Sequence, residues 1–492
     1  MTDLYIAYYN KTGDREVNDT YTFHANLDNW CSDPAIIEEK IFTGDLNSSI
    51  NYCNGSNMGV PHIAHFFDSL DVRKVLNYSK FTYVHKHFDN FDDNVLDTAD
   101  VVIIHADVLI YLTDAEVQKL LSLKGKILVD ATFEAFTYTY YYPILKLFKD
   151  KYKSVKELTL VVGTDKYNDD IEFENAFKEY TGANLSYFNF FRINEVLVGS
   201  SGINDHHHND SQVTNYITEQ TIIDNFNSPK TKNFLCLNNR PRFHRLALVE
   251  KLRELDLLAG NFVSKRWQYP AKKHIVQPLI KELWFEQEHS PRMLDELKIF
   301  NETPKSMLDK LRDNPGQLII PELDEGPEFS GINDRTPDLI DDRIHTNVLY
   351  KNSHFSLAVE TYYEDSFVDY YPEVLLNFEY KSSRTFLTEK VYKPIQYGHI
   401  FIPFAMPGTM KVLEEQGFLN FHEEFDCDNN YDMNIDHHER YKAFIEIINN
   451  FDATRITNKT LEKILHNYRL FYNKPHIMKH MDTFYENFIG NK

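Results

Sequence analysis

The chain has 492 residues, 42% hydrophobic and 26% charged, which is room for two or three domains with cores of their own. Its 74 acidic side chains outnumber 52 basic ones, and the resulting formal charge of −22 repels nucleic acid and anionic membrane at long range. No apolar run of about 18 residues is present to span a membrane, and the four cysteines (Cys31, Cys53, Cys236, Cys427) lack the CxxC spacing of a zinc site or the density of a disulfide framework.

These features predict a soluble protein of a reducing compartment, cytoplasmic in a cell or in the host cytoplasm if the chain is viral. The N-terminus, MTDLYIAYYN, has neither a basic n-region nor an apolar h-region, so Leu4 to Tyr9 reads as a first strand and not as a signal peptide. Val72 to Leu76 reads as helix or turn, and Phe81 to His85 as a short strand. Asp100 to His105 (DVVIIH) is almost wholly apolar, as a parallel strand buried on both faces should be. Asp114 to Leu123 follows as a helix, Lys126 to Val129 as a strand running into Asp130-Ala-Thr-Phe-Glu134, and Leu158 to Val162 as one more strand before Gly163. Strand alternating with helix implies an α/β, doubly wound sheet whose ligands sit beyond the carboxyl ends of its strands. His105, Asp130 and Glu134 then lie near a cleft, although a histidine just after a buried strand is more often structural.

A polar segment holding Asp205, His206, His207, His208 and Asp210, followed by Asn225 to Lys232, reads as a linker. Its histidines and aspartates are metal-ligand types, but neighbours in one loop seldom converge on one ion, so no metal is expected. The second half opens with the strand Asn233 to Leu237. The segment FLCLNNRPRFHR places Asn238 and Asn239 at a strand end and delivers Arg240, Arg242 and Arg245 into the turn and the helix Leu246 to Leu255. Three guanidinium groups at one strand end suit an anion, because each planar fork can hold two phosphate oxygens; the competing reading is that they solvate a helix start or pair with the acidic surface. Phe262 to Ser264 is a further strand ending in Lys265-Arg266-Trp267. Residues 268–345 form a mixed helical and acidic insertion, with loop composition near Pro321 to Asp334.

The densest pattern lies between His354 and Phe418. An apolar strand, Phe355 to Val359, ends in Glu360-Thr361; after a polar loop Thr388 caps a helix that carries Glu389 and Lys390 in its first turn, and an apolar strand then leads to Pro407-Gly408. A helix start gathers free N–H groups and the positive dipole end, so a diphosphate binds well there; Lys390 adds a point charge, and Glu389 suits a ribose hydroxyl pair. Pro394, five residues beyond Glu389, should kink or shorten this helix. Asp432, Asp436, Glu439 and Arg440 read as a solvated helix start, and Glu439 to Asn487 as a helical tail.

Taken together, Thr388-Glu389-Lys390, the preceding strand into Glu360-Thr361 and the following strand and Pro-Gly resemble the donor motif of α-1,3-fucosyltransferases and related viral glycosyltransferases. The resemblance implies a GT-B fold of two Rossmann-like domains facing a cleft: 1–228 on the acceptor side, 229–440 holding the nucleotide-sugar donor, and a tail, 441–492, packing back. It also implies a nucleoside-diphosphate sugar, GDP-fucose in known members, and an inverting transfer that needs no metal or other cofactor. Arg245, six residues after Asn239, matches the family's diphosphate-binding arginine. The family has Glu-Asn where this chain has Glu360-Thr361. ADVVIIHADVL followed by KILVDATFEAFTY is similar to the strands that precede the family's Phe-Glu-Ser-Pro segment, making Glu134 the general base and Asp130 the alternative; Ala135-Phe136 stands where Ser-Pro is usual.

The expected donor contacts are thus Asn239, Arg240, Arg242, Arg245, Lys265, Glu360, Thr361, Thr388, Glu389 and Lys390, and the expected partners are a nucleotide sugar and a glycan or other hydroxyl acceptor. Two alternatives share the fold. One is a viral glycosyltransferase acting on hydroxylated nucleobases in DNA, which the net charge argues against. The other is a sugar-nucleotide-binding protein without catalysis.

Overall fold

The computed structural model of the chain describes residues 4–9, 83–88, 171–189 with Arg192, 217–238 and 349–360 with Phe300 and Tyr363, and most of 95–132, 148–163, 243–265 and 385–477. In the described residues the chain is α/β with two parallel sheets. The first contains β1 (Leu4–Tyr9), β2 (Tyr83–Phe88), β3 (Val101–His105), β4 (Lys126–Ala131), β5 (Leu158–Val162) and β6 (Asn184–Tyr187) in the order β2-β1-β3-β4-β5-β6. The second contains β7 (Lys232–Asn238), β8 (Phe262–Lys265), β9 (Ser353–Val359) and β10 (Ile400–Phe404) in the order β10-β9-β7-β8. In each sheet the chain reverses its direction of travel once, between β1 and β3 and between β7 and β9. Crevices that accept ligands open at the carboxyl ends of such reversal points.

The helices that cover these sheets are α1 (Asp114–Ser122), α2 (Ile171–Thr181), α3 (Glu219–Asn227), α4 (Phe243–Glu254), α5 (Glu389–Gln396), α6 (Thr409–Glu415), α7 (His437–Asn449) and α8 (Asn458–Phe471). Their starts follow local chemistry. At α1 the Thr113 hydroxyl accepts from the Glu116 N–H while the Glu116 carboxylate accepts from the Thr113 N–H at 2.7 Å, a closed capping box. Helix α3 corrects the expected linker over Asn225 to Lys232. Thr218 caps it by accepting from Thr221 N at 3.1 Å, Ile222 is fully buried, and Lys232 already belongs to β7.

Strands buried on both faces divide their side chains between two cores with a period of two. Val102, Ile104, Ile127, Val129, Leu160 and Val162 pack with Val117 and Leu120 of α1 and Phe177 of α2. Val101, Ile103, Leu128 and Val161 instead join the apolar core built around the second sheet. The two sheets therefore share a core. Polar contacts reinforce it: Asn189, beyond β6, donates to the Tyr392 hydroxyl of α5 at 2.8 Å, and Arg192 donates to Gln416 and lies over the Phe418 ring. At the carboxyl end of β5, Gly163 lies so close to Thr132 and to the Phe386 ring that a Cβ there would sit 3.0 Å from that ring. The end of the first sheet thus abuts the segment that enters α5.

Helix α8 closes the assembly from the other side. Its Tyr468 hydroxyl donates to Ile217 O, Arg469 forks onto Glu219, and Phe471 packs against Tyr392 of α5. The tail beyond Ile477 and the segment Val72 to Leu76 lie outside the described residues, as does the insertion 268–345 apart from Phe300.

Gly398 connects α5 to β10 with φ at +62°, and a Cβ there would come within 2.5 Å of the Ile222 side chain of α3. Gly398→Ala combines left-handed backbone with overpacking and should cost about 2 kcal/mol or more. Urea denaturation checks this: a clearly lowered midpoint is expected, and an unchanged one would show that α3 does not pack there.

Candidate functional site

At the reversal point of the second sheet, β7 and β9 lie side by side and their carboxyl ends feed α4 and the residue Glu360. Glu360 is 1% exposed, and every polar part of it is engaged. Its N–H donates to Phe404 O at 3.0 Å, extending the β9–β10 pairing by one residue. Its carbonyl accepts from His244 Nε2 at 2.9 Å and from the Arg245 guanidinium at 3.0 Å, both from the first turn of α4. Its carboxylate accepts from the Thr388 N–H at 2.9 Å and the Thr388 hydroxyl at 2.6 Å.

Thr388 is the N-cap of α5, as the sequence predicts. Its Oγ1 passes a proton toward Glu360 while accepting from the Lys390 ammonium at 3.0 Å, and Lys390 in turn holds the Glu389 carboxylate at 2.7 Å. A continuous chain therefore runs from the buried Glu360 out to Glu389, which with Lys390 reaches solvent; their side chains are 31% and 20% exposed. Burial pushes the Glu360 carboxyl above the usual carboxylate range, against the pull of Lys390. At Glu389 burial pushes the same way but is outweighed by Lys390 and Lys393, which hold that carboxyl down to about 2. Glu389 is thus an anion across the working pH range, and an incoming diphosphate would compete with it for the Lys390 ammonium. Pro394 neither breaks α5 nor cuts it at once; the helix runs two residues further, to Gln396, and the proline carbonyl accepts from His399 N.

Five of the expected donor contacts, Arg245, Glu360, Thr388, Glu389 and Lys390, are brought into one cluster. Their roles divide differently from expectation. Arg245 is 2% exposed and donates to the Glu360 carbonyl, and Glu360 is buried beneath Thr388, so both fix the site from below where direct ligand contact was expected. Spacing placed them on the right elements but could not tell the outer face of α4 from its inner one. The backbone of Lys265 pairs with Asn238 at the same end of the sheet. Asn239, Arg240, Arg242 and Thr361 lie outside the described residues, as do Glu134 and the Asp205 to Asp210 cluster.

Asp130 is fully buried, and its Oδ1 accepts from the Thr132 N–H at 3.0 Å and hydroxyl at 2.8 Å. That is a strand-end turn, which takes Asp130 out of the role of an open base. His105, its register neighbour on β3, is buried as well.

Two participants escape sequence reasoning. His244 shares the grip on the Glu360 carbonyl, and its position beside Arg245 was the available signal. Asp432 is the other. It was expected on a solvated helix start with Arg440, yet both are buried. The Asp432 carboxylate accepts from Met410 N at 3.0 Å and its carbonyl accepts from Gly408 N, so the anion-attracting start of α6 after Pro407-Gly408 is filled by the chain's own acid. Asp436, by contrast, caps α7 at the surface as expected.

Comparison of the chain with protein-family models, with curated proteins and with solved structures gave no match.

Removing the Thr388 hydroxyl deprives α5 of its N-terminal cap bond and takes a 2.6 Å hydrogen bond from the buried Glu360 carboxylate. Thr388→Ala should therefore cost about 2–4 kcal/mol in urea denaturation, and Thr388→Ser much less. Equal losses for the two variants would show that the hydroxyl is not the active part. Burial raises the Asp432 carboxyl to about 7, against the pull of the Met410 amide and Arg440. The folded chain thus holds that proton where the unfolded chain has released it, so this group's contribution to stability falls as pH rises from about 4 to about 7 and is level above. Relative to wild type, Asp432→Asn should gain on the order of 2 kcal/mol between pH 5 and pH 8; a pH-independent difference between the two proteins would contradict this.

Proposed function

We propose that the chain is a glycosyltransferase of the GT-B type that binds a nucleoside-diphosphate sugar at the start of α5 and transfers the sugar to a hydroxyl acceptor. The observation that carries this reading is the convergence of Thr388, Glu389 and Lys390 on Glu360 at the reversal point of a parallel sheet. A helix start with a lysine in its first turn attracts a diphosphate, and the adjacent carboxylate can take a ribose hydroxyl pair. Support also comes from the approach of Gly163 and Thr132, at the carboxyl ends of the first sheet, to Phe386, two residues before the cap of α5.

On this reading Lys390 leaves Glu389 for the diphosphate as negative charge gathers there during departure. Glu134 takes the acceptor hydroxyl proton, and the transfer inverts the anomeric centre in one displacement without a covalent intermediate. Arg245 acts through Glu360 as a positioning residue. GDP-fucose is the donor that the sequence resemblance favours. One observation favours the non-catalytic alternative: Glu360 and Arg245 are committed to the protein, a state that also serves a binding module.

Calorimetric titration with the diphosphates of guanosine, uridine and adenosine, followed by donor turnover with a glycan acceptor, separates these readings. One diphosphate should bind, Lys390→Ala should weaken it about tenfold or more, and turnover should follow with the matching sugar. Binding without turnover selects the non-catalytic reading. Absence of binding, or a Lys390→Ala variant that binds as wild type, overturns the donor site.

A further inference from the structure

At the end of the second sheet opposite Glu360 lies a cavity of about 240 Å³ between the starts of β9 and β10, the end of α3 and the segment Ala453 to Ile464. Its polar lining includes Asn225, Ser228, Lys230, His354 and His399, and none of the lining residues is an aspartate or glutamate. In a chain of formal charge −22 this is a local reversal of sign.

Lys230 donates from Nζ to two backbone carbonyls, Asn225 O and Lys351 O, both at 2.8 Å, and forms no ion pair among the described residues. Two carbonyl dipoles fix the ammonium in place without neutralising it. His399 is buried and fully committed: Nε2 donates to Ser353 O at 2.9 Å, and Nδ1 accepts from the Ser356 hydroxyl at 2.8 Å. It therefore stays neutral and forms the wall behind His354. The parallel rings of Tyr350 and Tyr397, 4.5 Å apart, make the floor rigid.

We propose that this cavity binds a small oxyanion of the phosphate class, inorganic phosphate or a small phosphomonoester, with Lys230 and His354 as its cationic contacts. At about 240 Å³ the cavity falls below the range of about 300 to 1,000 Å³ usual for larger ligands, which suits a small anion better than a nucleotide sugar. Electrostatics agree with the geometry. Burial and the neighbouring Lys351 push the Lys230 ammonium down to about 8, and burial and Lys230 push His354 below its ordinary value. An anion between them offsets both effects, so the two groups hold their protons more tightly when it is bound.

This site is independent of the donor site, and the experiment keeps them apart. Inorganic phosphate is titrated into wild type, Lys390→Ala, Lys230→Met and His354→Gln, with binding followed by calorimetry and by the thermal midpoint. Saturable binding with a raised midpoint is expected in wild type and, unchanged, in Lys390→Ala. Lys230→Met should weaken it about tenfold or more, the equivalent of about 1.4 kcal/mol. His354→Gln leaves the Lys230 carbonyl bonds in place and should weaken binding about threefold or more, which decides the matter if Lys230→Met proves poorly folded. No saturable binding in wild type, binding as tight as wild type in both cavity variants, or loss in Lys390→Ala alone would overturn the proposal. A failure of nucleotide binding at α5 would leave each of these outcomes readable.

Discussion

The hydrogen-bonded burial of Glu360 is the constraint on which the candidate site depends. A carboxyl group withdrawn from water is costly unless its bonding capacity is met, and partial satisfaction is worse than an apolar residue in the same place. Here the residue is bonded on every side: to β10 through its N–H, to α4 through its carbonyl, and to the cap of α5 through its carboxylate. Helix α4 is therefore fixed at one point with α5 and β10, which lie more than a hundred residues further along the chain. Thr388 cannot shift without giving up two bonds to the buried Glu360 carboxylate, and Glu389 and Lys390 inherit that placement. Functional groups held by a bonded layer beneath them lose little order on binding, which is the physical content of a preorganised site.

Topology explains why these residues meet. Because the second sheet runs β10-β9-β7-β8, the strands β7 and β9 are neighbours although more than a hundred residues separate them. Their carboxyl ends bring the first turn of α4 against Glu360. The shared core beneath, with Val101, Ile103 and Leu128 of the first sheet among the second sheet's residues, ties the same region to the β5 end through Gly163 and Phe386. The two ends of the second sheet differ in charge pattern. At the carboxyl end Glu360 and Glu389 stand among Arg245 and Lys390, and at the amino end the cavity around Lys230 is lined by no aspartate or glutamate.

The sequence was most readable where burial leaves a one-dimensional trace. Apolar runs located β3, β5, β7 and β9 to within a residue or two, and the differences lie at ends, where backbone pairing extends past the apolar run, as at Lys232 and Ser353. Cap chemistry located α5, through Thr388. What could not be read is orientation and long-range partnership. Arg245 looks in sequence like a solvent-facing cation at a helix start, but the inner face of α4 turns it onto a carbonyl more than a hundred residues away. Asp432 resembles any acid near a helix start; only the fold carries the Gly408 turn to it. Helix α3 was missed because its polar surroundings outweighed Ile222, whose burial depends on Gly398 and α8 arriving from the far end of the chain.

The proposed donor site puts a nucleoside diphosphate at the start of α5. Backbone amide hydrogen exchange, measured with and without saturating guanosine diphosphate, tests it without relying on a substitution. Slowed exchange concentrated at residues 385–396 and at Glu360 is the predicted result. Unchanged exchange there, or protection confined to the first sheet, would contradict it.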